Sequence, residues 1–315
     1  MILVTGGTGF IGRHLVERLM DDEHRVRCLL ADDKAKDLPW KNTPEIVIGD
    51  LLDEEVLFRA ATGVHTIIHL QSGQWWGRLR DLERIELVGT RNLIAAARAA
   101  RVGRIITISQ LGASISSAYM LLRIKGMAEE QIRSSGLAYT IIRAGVLFGD
   151  QDAFVNHIAM TLRSTPFLFL MPGRGEVVLH PLYVDDLIEA IMRSLESIDL
   201  VDTTVEFGGP EYITLEDLIR TVMRVSGTYR FILPVPPYVM RWMSIIYSQV
   251  FRRSLITPQW MDILATNRTA PLGNAFNYFG IQPRRFEDTL LTYMPGKAYF
   301  WPTLRYMLRR RPKGI

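Results

Sequence analysis

The chain has 315 residues, of which 48% are hydrophobic and 22% charged, with a formal net charge of +4. That length and apolar content exclude disorder as a class and allow one large α/β domain or a domain with a smaller lobe. A single cysteine, Cys28, excludes an internal disulfide framework. With no basic leader and no apolar run of about 18 residues, it points to a cytoplasmic protein.

In chain order, Met1 to Val4 reads as a short buried strand, and His14 to Met20 has the apolar spacing of a helix packed on a sheet. The run Val4-Thr5-Gly6-Gly7-Thr8-Gly9-Phe10-Ile11-Gly12 joins them and puts glycines at 6, 9 and 12 on a strand-to-helix turn. Glycines there let the chain turn tightly, bring backbone N–H groups to a pyrophosphate, and pack helix on strand without a Cβ in the way. The helix N-terminus adds partial positive charge for the phosphates. Gly6, Thr8, Gly9, Phe10, Ile11 and Gly12 are therefore the candidate cofactor cradle, and the cofactor is NAD or NADP.

A second strand, His24 to Leu30, ends where a ribose-selecting residue belongs. Asp32 and Asp33 favour NAD, whose 2′-hydroxyl an acid accepts. Arg13, Lys34 and Lys36 are the nearby cations that would favour NADP, against a plain reading as solvated loop charges. Third and fourth strands follow at Glu45 to Leu51 and His65 to Leu70, then a helix over Arg80 to Ala100, a strand at Arg104 to Ser109, a helix over Leu122 to Ser134 and a strand at Ala138 to Arg143. Strands alternating with helices predict a doubly wound parallel sheet, the Rossmann arrangement, with ligands at the strand carboxyl ends.

Beyond Gly149 the rhythm loosens, and three regions are expected: a dinucleotide-binding domain over 1–150, an interleaved C-terminal lobe over 151–295, and a basic aromatic tail over 296–315. The lobe carries a helix near Phe154 to Arg163, a strand near Val177 to Leu179, and His180-Pro181-Leu182-Tyr183-Val184-Asp185-Asp186 leading into another helix. Tyr238 to Phe251 reads as a helix with one narrow polar stripe, Arg241, Ser244 and Ser248; it is expected to bury most of its circumference, by default against its own lobe. In the tail, Arg305, Arg309, Arg310, Arg311 and Lys313 follow Tyr299, Phe300, Trp301 and Tyr306, a candidate foot for the inner face of a membrane set against a solvated helix docked on its own lobe. Neither a metal site nor nucleic-acid binding is expected.

The cradle, Gly49-Asp50-Leu51, Ile68-His69-Leu70, Gly89-Thr90-Arg91-Asn92, Ile108-Ser109-Gln110-Leu111-Gly112-Ala113, His180 to Asp186 and Phe207-Gly208-Gly209-Pro210 together resemble the extended and atypical short-chain dehydrogenase/reductase superfamily, of NAD-dependent epimerase/dehydratase type. The branch is similar to the NDUFA-type accessory subunit of respiratory complex I and to NmrA-like proteins. The resemblance implies that Asp50 and Leu51 meet the adenine, that Leu70 and Gln71 line the ribose and nicotinamide side, and that residues after Arg143 wall the nicotinamide pocket. On its own sequence Asp50 also reads as a helix N-cap.

Active members of this superfamily pair a Tyr with a Lys four residues on. Lys125 fits the Lys position, as ribose anchor, but Leu121 stands where the Tyr belongs. Tyr119, six residues before Lys125, is about 600° away around a regular helix and substitutes only if the helix begins after it. Ser109 is the candidate partner hydroxyl, with a plain strand-end role as its alternative. Two functions are therefore carried forward. One is an oxidoreductase or epimerase-like enzyme acting on a small carbonyl or hydroxyl substrate through Lys125, Tyr119 and Ser109. The other is a non-catalytic nucleotide-binding module, structural, assembly-related or sensing, whose lobe meets a protein partner.

Overall fold

In the computed structural model, which describes residues 1–31, 38–73, 79–250, 255, 257–297, 301, 303 and 306, seven strands form one parallel sheet. They are β1 (Ile2–Thr5), β2 (Val26–Leu30), β3 (Glu45–Ile48), β4 (Thr66–His69), β5 (Arg104–Gln110), β6 (Ala138–Ala144) and β11 (Thr203–Phe207), in the order β11-β6-β5-β4-β1-β2-β3. Most read as near-continuous apolar runs because helices cover both faces of the sheet. α1 (Phe10–Asp21) and α7 (Val184–Glu196) pack one face, where Leu15, Leu19, Leu187 and Ile191 meet Val4, Cys28 and Ile68. α2 (Glu54–Ala61) and α4 (Thr90–Ala99) pack the other, where Leu57 and Leu93 meet Leu3 and Ile67.

The strand order reverses at β1, whose neighbours are β2 and β4. That switch point opens a crevice beyond the carboxyl ends of β1 and β4, the place where such sheets take ligands. Strands and helices alternate as the sequence predicts, except that among the described residues no helix separates β2 from β3.

Three elements differ from the sequence expectation. The stretch read as one helix from Arg80 to Ala100 is α3 (Leu79–Glu83), a π-helical turn over Arg84–Gly89, and then α4. Widening the helix by a residue per turn hides the break from a 3.6-residue pattern. The seventh strand comes from beyond residue 150, because β11 pairs with β6 at the sheet edge; its polar Thr203, Thr204 and Glu206 reflect that half-solvated position.

The third difference is α9 (Pro237–Val250). Within its polar stripe Ser244 is buried and half-exposed Arg241 is paired to buried Asp262, whereas Tyr238, Trp242, Ile245 and Ile246 face solvent. The helix does not bury most of its circumference.

The remaining pieces build a lobe at the carboxyl end of the sheet. α6 (Val155–Ser164) and α8 (Leu215–Ser226) pack through Val155, Leu162, Leu218 and Val222, with Trp260 stacked on Phe154 at 4.6 Å between ring centres. A two-stranded parallel ribbon, β8 (Leu168–Pro172) and β13 (Phe231–Val235), lies at its edge. Lobe and sheet are tied by His180, whose buried ring leaves no room for a Cβ on Gly208 and is hydrogen-bonded to the Gly209 carbonyl at 2.7 Å. The Ala270 N–H donates to its other nitrogen at 3.1 Å. That ring accounts for Gly208, and the Pro181 carbonyl, which a Cβ on Gly209 would meet, accounts for the second glycine of Phe207-Gly208-Gly209-Pro210.

Candidate functional site

The cradle has the shape its glycines demand. Gly6 sits at φ +75°, and a Cβ there would lie 2.7 Å from the Gln71 backbone nitrogen, so the turn presses directly on the segment leaving β4. A Cβ on Gly12 would come within 2.3 Å of the Gly6 carbonyl oxygen, so α1 and the turn approach as closely as backbones can. Gly7 is a packing position against Cys28 Sγ and Trp40, and burial pushes the Cys28 thiol up to about 12.

Gly9 differs from the others. A Cβ there would meet only the Gly6 oxygen, at 3.1 Å, and the residue is exposed. It is the N-cap of α1; no side chain caps that helix and no acid occupies its first turn. A helix N-terminus left bare beside open space that a Gly9 side chain would enter fits a pyrophosphate.

Phe10 closes one side by packing against Gly149. Arg13 hydrogen-bonds Gln151 on that same loop, so its guanidinium is engaged away from the end of β2. Thr5 Oγ1 and His69 Nδ1 are hydrogen-bonded at 2.7 Å, and burial takes His69 down to about 4, which leaves it neutral between two strands. His69 therefore braces the switch point and offers no proton near neutral pH. Leu70 N–H donates to the Thr5 carbonyl at 3.1 Å, which puts Leu70 and Gln71 at the mouth of the crevice.

Beyond β3, Asp50 accepts from the Leu52 N–H at 2.7 Å in an Asx turn, and the residue capping α2 is Asp53, which accepts from Val56 N–H at 3.0 Å. The N-cap alternative for Asp50 is thereby corrected: the turn at Gly49, with φ +156°, delays the helix by three residues. The Leu51 side chain is fully buried against Gly89. Asp32 and its neighbours Asp33, Lys34 and Lys36 lie outside the described residues.

The proposed catalytic residues are brought to the same end of the sheet but not into one constellation. α5 runs Met120–Arg133 with Tyr119 as its N-cap, so the helix does begin after Tyr119. Leu121 is wholly buried in the lobe's apolar cluster. Lys125 Nζ donates to Glu86 Oε2 at 2.9 Å and to Ser72 Oγ at 3.1 Å, and Ser72 and the Gly73 N–H both donate to the other oxygen of Glu86. The π-helical turn carries Glu86 into this position.

Among the described residues Ser109 Oγ is buried without a hydrogen-bond partner, in a small cavity shared with Lys125, Glu86 and His69. Buried Arg268 crosses from the lobe to donate to the Leu111 carbonyl at 3.2 Å and interacts electrostatically with Tyr119; burial brings its guanidinium down to about 10.

Glu86, Ser72 and Arg268 were not named from the sequence. Glu86 had a signal, since it occupies a core position in the stripe Leu82, Ile85, Gly89 and Leu93, where a charge needs a buried partner. Arg143 has its guanidinium taken by Glu129, with nitrogen–oxygen distances down to 2.7 Å. Glu129 and Glu130 do not form a carboxylate pair, because Glu129 is buried and Glu130 is exposed. Asp185 joins α7 to α1 through His14 Nδ1 at 2.9 Å, and that bond holds its carboxyl below the usual range. It is not an N-cap, since Tyr183 occupies that place. Among the described residues no three His, Cys, Asp or Glu side chains converge as a metal site, and no helix is long and apolar enough to cross a membrane.

Solved structures with this architecture include UDP-glucose 4-epimerase of Thermotoga maritima, with TM-score 0.73 and 20% identity over 96% of this chain and 99% of that one. A nucleoside-diphosphate-sugar epimerase from Staphylococcus aureus has TM-score 0.74 and 16% identity over 92% and 99%. These show the fold.

Among curated proteins, the mitochondrial NADH dehydrogenase [ubiquinone] 1 alpha subcomplex subunit 9 of Rattus norvegicus is 28% identical over 78% of this chain, which spans 66% of that subunit's length. Photosystem II assembly factor Ycf39 of Synechocystis is 25% identical over 95% of this chain and 90% of its own. The NAD(P)H-binding family profile matches residues 6–166, the cradle, crevice and Lys125 helix included, and the chain belongs to that family.

Proposed function

We propose that this chain holds NAD(P) as a structural or sensing ligand without turning it over, and that its C-terminal lobe serves a protein partner in a larger assembly. The observation that carries this is the capture of Lys125 by Glu86, with Leu121 buried where the proton-transferring hydroxyl belongs. A proton relay needs a hydroxyl within hydrogen-bond reach and a cation free to tune it; here the cation is bound to a buried carboxylate instead. The relatives named above, a subunit of an NADH dehydrogenase and a photosystem II assembly factor, support a role inside or beside an assembly. Asp32 and Asp33 favour NAD over NADP, and the basic tail favours a place at a membrane surface.

The test is to release and identify the nucleotide from purified protein, then titrate NAD, NADH, NADP and NADPH by fluorescence. Retention of one nucleotide that resists oxidation or reduction by offered carbonyl and hydroxyl substrates is expected. Fast exchange with turnover overturns the reading.

A second reading, an oxidoreductase or epimerase-like enzyme, is favoured by one observation: α5 starts at Met120, so Tyr119 is free of the helical register that separates it from Lys125. It requires the Tyr119 hydroxyl within about 4 Å of the nicotinamide C4 in a complex. Activity lost in Tyr119→Phe would establish it.

A further inference from the structure

The C-terminal lobe turns an apolar side outward along one continuous stretch of chain. On α9, Tyr238, Trp242, Ile245 and Ile246 are 75%, 66%, 40% and 42% exposed. At about 100° per residue they fall within an arc of roughly 100°. The opposite side of the helix holds Met240 and Ser244, both buried in the lobe.

The ribbon β8–β13 continues this face. Phe231 stands in register with Leu168, both are exposed, and Leu233 follows two residues on, while Phe169 and Met171 fill the core beneath. Phe167 and Tyr229 extend the same edge, at 73% and 76% exposed. Scattered exposed apolar residues are ordinary, but this many along a helix side and the strand that leads directly into it mark a docking site.

The charge around this face decides what docks. Arg220, Arg224 and Arg241 are ion-paired with Glu216, Glu287 and Asp262, but Arg163 and Arg230, beside the ribbon, donate to the Ser226 and Thr165 carbonyls and belong to no ion pair among the described residues. Indole and phenol rings and branched aliphatics beside arginines whose charge is not neutralised by an acid suit a helix lying in the headgroup region of an anionic bilayer. α9 is too short to span a bilayer, and no described helix does so.

We propose that α9 and the outer face of the β8–β13 ribbon form a docking surface for an anionic lipid bilayer, with α9 in the plane of the interface and Tyr238, Trp242, Ile245 and Ile246 entering it. This rests on the membrane-surface part of the reading above and not on whether the nucleotide turns over, so vesicle binding and nucleotide retention fail independently.

The experiment is co-sedimentation of the full chain with phosphatidylcholine vesicles, with and without about one-third phosphatidylglycerol. Wild-type protein is expected to sediment with the anionic vesicles, less with neutral ones, and less again at high salt. Trp242→Glu with Ile246→Glu should weaken anionic-vesicle binding at least about tenfold while nucleotide affinity and melting midpoint stay at wild-type values. Phe276→Glu, at an exposed apolar position on another element, should leave vesicle binding unchanged. Wild-type protein that stays in solution with every vesicle, or a double variant that sediments like wild type, overturns the proposal. So does a face that proves to bury itself in a homodimer which the double variant splits, because the occupant is then a second copy of the chain.

Discussion

Lys125 Nζ lies 2.9 Å from Glu86 Oε2, and the two side chains are only 8% and 4% exposed. A buried ion pair contributes little net stability against an apolar pair of equal shape, but removing one partner strands an uncompensated charge. Glu86→Ala should therefore destabilise the protein by about 3 kcal/mol or more, whereas Glu86→Leu with Lys125→Met should cost much less than the single change. Urea midpoints at constant slope measure both. A Glu86→Ala variant as stable as wild type would mean that Lys125 already reaches water.

The cradle separates binding from folding at two glycines. Gly9→Val puts its side chain into the open space before the α1 N-terminus, where its nearest backbone neighbour is 3.1 Å away, so nucleotide binding should be abolished with the fold largely intact. At Gly12 the Gly6 oxygen is 2.3 Å from a would-be Cβ, so even Gly12→Ala should lower the melting midpoint as well as affinity. Circular dichroism and nucleotide titration of the two variants distinguish the cases; unchanged affinity in Gly9→Val would refute a phosphate site at this turn.

Much of this architecture was legible because the central strands β1, β2, β4 and β5 are largely buried runs, most of them followed by an amphipathic helix, so local pattern and global fold agree. The illegible parts share one cause, a local pattern overruled by distant partners. The π-helical turn reads as helix, and its purpose is visible only once Glu86 meets Lys125 across 39 positions. β11 reads as a mixed polar stretch because it occupies a sheet edge. α9 has the apolar girth of a core helix, yet Arg241 is claimed by Asp262 and Ser244 is buried, while its aromatic and aliphatic side faces solvent. The candidate site was named residue by residue at the cradle, where covalent geometry dictates glycine, and missed at Glu86, Ser72 and Arg268, where only the assembled fold creates the need.

Acid should act on the lobe through His157. Its ring is buried between Trp260 and Tyr306, and burial takes it down to about 4 despite a hydrogen bond to the Leu255 backbone. The unfolded chain binds a proton near pH 6.5 that the native ring refuses, so this residue's contribution to stability is whole above about pH 6.5 and is lost as pH falls towards 4. Asp152, raised to about 7 by burial, works with the opposite sign, so the total stability curve does not isolate the histidine. The difference between His157→Phe and wild type does: it should move in the variant's favour by about 1.4 kcal/mol per pH unit, or about 3 kcal/mol across the window. A difference independent of pH would place the ring in contact with water.

Ser109 offers the sharpest division between the two functional readings. Its Oγ is buried with no partner among the described residues, and an unpaired buried hydroxyl costs on the order of 1–3 kcal/mol relative to its solvated state. If nothing bound there uses the group, Ser109→Ala removes that cost at the loss of one oxygen's volume, and the variant should be as stable as wild type or up to about 1 kcal/mol more stable, with nucleotide affinity unchanged. If the hydroxyl meets a bound nicotinamide or substrate, the same change should cost affinity or turnover while stability alone improves. Thermal midpoints measured with and without saturating nucleotide separate these outcomes, because a ligand stabilises by an amount set by its affinity. An equal nucleotide-induced shift in both proteins is the result expected for a module that holds its nucleotide without using it.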